Sequence, residues 1–171
     1  MSAMRAVLVV TGLMAGLPPV MAAGAHEHGV ARLEVSIDEG GVQVNLDSPL
    51  EVLVGFERAP KDGAQREALA RMVDRLKAGD QLFAIDPAAA CTLTASSVEH
   101  PFQPGKGGAK DGHADAEASW SWRCEKPAPI KRIEVRLFEA FGRLKTLRVQ
   151  TATPKGQGSA TLVKSRRSIS F

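Results

Sequence analysis

The chain has 171 residues, with 22 lysines and arginines against 19 aspartates and glutamates, and 44% of its side chains are hydrophobic. That length supports one hydrophobic core, and so balanced a charge leaves no electrostatic footprint for nucleic acid or an anionic membrane surface. Two cysteines and four histidines leave few groups with which to do chemistry.

The first 25 residues follow the plan of a secretory signal: one charge at Arg5, the apolar run Ala6 to Ala15, then Pro18-Pro19 and small residues. The run is too short and too soon interrupted to span a bilayer, so no stable membrane insertion is expected after cleavage. Cleavage fits after Ala22 or after Ala25, and the second cut would make His26 the first residue of a single periplasmic domain, 26–171. Loss of 1–25 removes only Arg5 among the charged residues, leaving 21 basic and 19 acidic side chains. In an oxidising compartment Cys91 and Cys124 are expected to pair. Closing a loop of about thirty residues stabilises a fold by roughly 2–4 kcal/mol, chiefly by restricting the unfolded chain.

Ala31, Leu33, Val35 and Ile37 alternate with polar residues as in a half-buried strand. Glu39-Gly40-Gly41 supplies a tight reversal into Val42 to Leu46, so the two runs predict a hairpin. Leu50 to Phe56, broken by Glu51 and Gly55, is left unassigned. Asp62 stands three residues before Gln65 in a capping-box arrangement, Ala68, Leu69, Met72, Val73 and Leu76 recur on one helical face, and Gly79 follows as a stop. Leu82 to Ile85 reads as an edge strand or the tail of the helical unit. Cys91 to Ala95 alternates as a strand and leads into a polar loop, 99–117. Beyond it Ala118, Trp120, Trp122 and Cys124 share one strand face, so both indoles are expected in the core beside the disulfide, the competing reading being an aromatic ligand platform.

Ile133 to Phe138 and Leu144 to Gln150 look like a second antiparallel pair. Pro154 to Gly158 is turn chemistry, with last strands at Ala160 to Val163 and Ile169 to Phe171. About seven short strands and one amphipathic helix describe an α+β domain, an antiparallel sheet with the helix packed on one face.

The residues that could bind metal are few. His26-Glu27-His28 has His-x-His spacing, and in an extended segment both imidazoles project to one side about 7 Å apart. A free α-amine at His26 would add a third nitrogen and favour Cu2+ over Zn2+. In the polar loop His100, Asp111, His113, Asp115 and Glu117 are imidazole and carboxylate donors that zinc accepts. A solvated polar surface is the competing reading in both places. Enzyme motifs are missing: there is no HExxH, no nucleophile elbow, and no cysteine or serine beside an oriented histidine. The expectation is a protein that is not an enzyme.

Taken together, His26-Glu27-His28-Gly29, Val54 to Pro60, Asp80 to Phe83, the two cysteines, Leu147 to Gln150 and Thr153 to Gly158 resemble the ZrgA family of zinc-responsive periplasmic proteins. The resemblance spans the mature chain. It implies a zinc-binding accessory to uptake or buffering, working beside a zinc-importing ABC transporter or its binding protein. His26 and His28 then become the best ligands, with His100, His113 and Glu117 as further candidates. Where relatives often carry histidine and carboxylate runs in this loop, residues 103–110 here hold lysines and glycines, and Arg58 stands where similar sequences often have histidine. The rival from another class is an envelope adaptor that docks on a partner, with metal binding incidental.

Overall fold

The computed structural model describes residues 27–109 and 114–171; the predicted signal segment, His26, Asp111 and His113 lie outside them. The strands among these residues are β1 (Val30–Asp38), β2 (Gly41–Pro49), β3 (Phe83–Ile85), β4 (Cys91–Glu99), β5 (Asp115–Cys124), β6 (Arg132–Val135), β7 (Thr146–Thr153), β8 (Gly156–Val163) and β9 (Ser168–Ser170). The helices are α1 (Leu50–Val54), α2 (Gly63–Lys77), α3 (Gly79–Leu82) and α4 (Leu137–Ala140), with a single 3-10 turn at Pro87–Ala89. This is the expected α+β class, with nine strands in place of about seven.

Six strands form the main sheet in the order β4-β5-β2-β1-β7-β8, and β3-β6-β9 form a smaller one. All neighbours run antiparallel except β1 and β7, which pair in parallel from Val30 opposite Thr146 to Ser36 opposite Ala152. Alternation does what the sequence requires of it. Leu33, Val35, Val44, Leu46, Trp120, Leu147 and Val149 are buried on the inner face, while Glu34, Asn45, Glu117 and Arg148 stand on the outer one. The β1–β2 hairpin depends on glycine at one point. Gly41 has φ of 148°, and a Cβ there would lie 2.0 Å from the Trp122 carbonyl oxygen.

The helix α2 begins as its sequence predicts, with Asp62 Oδ1 accepting the Gln65 N–H at 2.8 Å and Gln65 Oε1 accepting that of Lys61. It packs on the inner face near β4 and β5, and Trp120 Nε1 donates to the Leu76 carbonyl at 2.6 Å, filling an acceptor that the helix end leaves open. Trp122 Nε1 donates to Asp80 Oδ1 at 2.7 Å. Both indoles share the buried face with Cys124 and meet Phe83 edge-on, with ring centroids 5.0 and 5.7 Å away. They are core, and the disulfide Cys91–Cys124 is formed across the directly opposed pair of β4 and β5.

Several boundaries differ from the sequence reading. Leu50 to Val54 is a helical turn whose Leu50 and Val52 are buried. Gly79 opens α3 instead of ending α2, which is capped by Ala78. The expected pairing of Ile133 to Phe138 with Leu144 to Gln150 does not form: β6 joins the small sheet, and the chain turns into α4 at Leu137. Leu137 and Phe138 are consecutive and both buried, a pattern a half-buried strand cannot satisfy. Strand β8 starts at Gly156, inside the stretch read as a turn. The polar loop is shorter than expected, because β4 runs through Glu99 and β5 resumes at Asp115.

Candidate metal centre

The described part of the motif, Glu27-His28-Gly29, approaches β1 as a turn. Gly29 has φ of +79°, and a Cβ there would lie 3.0 Å from the Lys145 side chain and 3.1 Å from the Arg143 carbonyl oxygen. Glycine is therefore the residue that lets the chain bend here. Backbone bonds fix the bend, with Val30 N–H donating to the Glu27 carbonyl and the Lys145 and Thr146 N–H groups donating to that of Gly29. On the side-chain level Arg148 Nη2 reaches both oxygens of Glu27, at 2.9 and 2.8 Å. His28 thus stands at the turn before β1, and its expected alignment with His26 lies outside the described residues.

That turn presents His28 to solvent, its side chain 87% exposed, with Nδ1 3.4 Å from Glu51 Oε2 in the first turn of α1. Next to Glu51, the Leu50 N–H donates to the Ala114 carbonyl at 2.8 Å. The segment between the two cysteines therefore rejoins the fold beside the helix that carries Glu51. His28, Glu51 and the return of the polar loop share one end of the main sheet.

His100 and Glu117 come to the same end but to different sides of it. His100 follows Glu99 directly and is 8% exposed, on the core side with Val98, and its Nδ1 accepts the Phe102 N–H at 3.3 Å. Burial holds its imidazole below the usual histidine range. Glu117 lies within β5, opposite Glu99 on one side and Asp47 on the other, on the outer face. Lys106 bonds Glu99 at 2.8 Å, which lowers the carboxyl and raises the ammonium, and Glu117 adds to the latter. One imidazole inside and one carboxylate outside cannot share an ion through a sheet, so the structure does not join these two expected ligands.

Asp115, at the start of β5, has a buried Oδ1 without a hydrogen-bond partner among the described residues. Among the described residues no three histidine, cysteine, aspartate or glutamate side chains converge as a metal site. What converges is the pair His28 and Glu51. Its donor set, an imidazole nitrogen and a carboxylate oxygen, suits zinc, and its exposure leaves room for further ligands. Sequence reading missed Glu51 because the contact spans 23 positions and has no local pattern. It missed Arg148 for the same reason, across 121 positions.

Residues 25–171 match the model of a family described as ZrgA family zinc uptake protein. No curated protein matches the chain.

Proposed function

The chain belongs to the ZrgA family of zinc uptake proteins, and from that premise we propose that it is a periplasmic, non-enzymatic zinc-binding accessory protein. It buffers Zn2+ after export and passes it toward a zinc-importing ABC transporter or its binding protein. The observation that carries this reading is the exposed His28 beside Glu51, at the sheet end where the polar loop returns. Zinc here is cargo. A structural zinc site is closed by four protein ligands, whereas a ligand as open as His28 can gain and lose an ion without unfolding. The disulfide and the signal-like start of the sequence support an oxidising compartment.

Zinc takes the neutral imidazole, so affinity falls as the solution is acidified below about pH 6.5. Calorimetric titration of zinc into the exported chain above and below that value, beside a His26→Ala/His28→Ala variant, tests the assignment. Binding that weakens in acid and disappears in the variant supports it. Equal heats for both proteins reject it. Copper titrated in the same way tests whether the site prefers Cu2+.

A further inference from the structure

We infer that Glu51 is the carboxylate ligand of the zinc that His28 takes up, with the Glu27–Arg148 pair positioning the imidazole beside it; the inference rests on the zinc-binding reading above. The separation is informative. At 3.4 Å, His28 Nδ1 and Glu51 Oε2 lie beyond the usual N–H···O distance of about 2.9 Å. Ligand atoms about 2.1 Å from a tetrahedral zinc stand about 3.4 Å from each other. The pair is thus spaced as two neighbouring ligands of one ion.

The surroundings hold both groups in place. Glu51 is fixed by the first turn of α1, whose preceding residue Pro49 ends β2 and whose Leu50 N–H is tied to Ala114. His28 is one residue from the left-handed Gly29 and one from Glu27, which grips Arg148 through both carboxylate oxygens. Arg148 Nη2, bonded to both oxygens of Glu27, holds that carboxylate in place, and the pair neutralises an arginine that would oppose a dication. Glu27 is thereby occupied, so the carboxylate of the site is Glu51, from a different element.

The test is zinc calorimetry on the exported chain with Glu51→Gln, Arg148→Ala and Arg148→Lys, and a metal-free melt of each. Glu51→Gln should weaken zinc binding by about tenfold or more without moving the metal-free melting temperature. Arg148→Ala should weaken it several-fold, and Arg148→Lys should restore only part, because the charge returns on a shorter side chain. If wild type binds zinc and Glu51→Gln binds it equally well, the assignment of Glu51 is overturned while the zinc reading stands. If wild type takes up no zinc, both fall. Arg148→Ala with wild-type affinity would overturn the positioning role alone.

Discussion

Replacing Gly79 by alanine should destabilise the domain, although alanine is the better helix former. Gly79 begins α3 under the two indoles, and a Cβ there would lie 2.6 Å from Trp120 Cδ1, 3.1 Å from Trp122 Cζ2 and 3.2 Å from Trp120 Nε1. Ordinary contact begins near 3.4 Å, so the added methyl must move an indole or the helix by about 0.8 Å. Neither can yield freely: Trp120 is 1% exposed, bonded to the Leu76 carbonyl and braced by Phe83. Overpacking of this kind costs about 1–3 kcal/mol. Stretching the indole hydrogen bond adds up to about 1 kcal/mol, and the gain of alanine over glycine in a helix returns about 0.5–1 kcal/mol. Taken at their midpoints these terms give a net loss of about 2 kcal/mol, which in a domain of this size lowers the melting temperature by about 4–8 °C. Urea denaturation followed by tryptophan fluorescence reads it directly, with a lower midpoint at an unchanged slope. A variant as stable as wild type would show that the indoles do not close over Gly79 as described.

Two further outcomes follow from the same core. Asp80→Ala leaves the Trp122 indole N–H without its acceptor and should cost about 1–2 kcal/mol in urea denaturation, with a shift in tryptophan emission; an unchanged midpoint would mean the bond contributes nothing net. Burial depresses the folded-state pKa of His100, so below the unfolded value the unfolded chain binds more protons, and stability falls as pH drops from about 6.5 through that lower folded value. Melting temperatures of wild type and His100→Gln, compared at about pH 7.5 and about pH 5, should diverge from this acid loss in wild type alone; parallel losses would remove His100 as the cause.

Much of the architecture was legible because its signals are local. The two-residue alternation of Ala31 to Ile37 and of Ala118 to Cys124 can be satisfied only by strands with one buried face. Asp62 and Gln65 announce the start of α2 through bonds within one turn of chain. Two cysteines admit only one intramolecular cross-link, and Cys91 and Cys124 stand directly opposed. Alternation also explains the misreading at Phe138, where an apolar run continues through a change of element that no periodicity marks.

Register and neighbours are different in kind, because they depend on the free energy of the whole core. The parallel pairing of β7 with β1 places Arg148 within reach of Glu27, and the turn at Pro49 brings Glu51 to His28. None of these contacts leaves a trace in residue spacing. Sidedness follows the same logic: His100 and Glu117 are both plausible zinc donors in the sequence, yet the pleat of adjoining strands sends one into the core and the other to the outer face. Residue types determined that imidazole and carboxylate would be the chemistry on offer; tertiary packing decided which of them meet, since only a formed core can set distances between groups far apart along the chain.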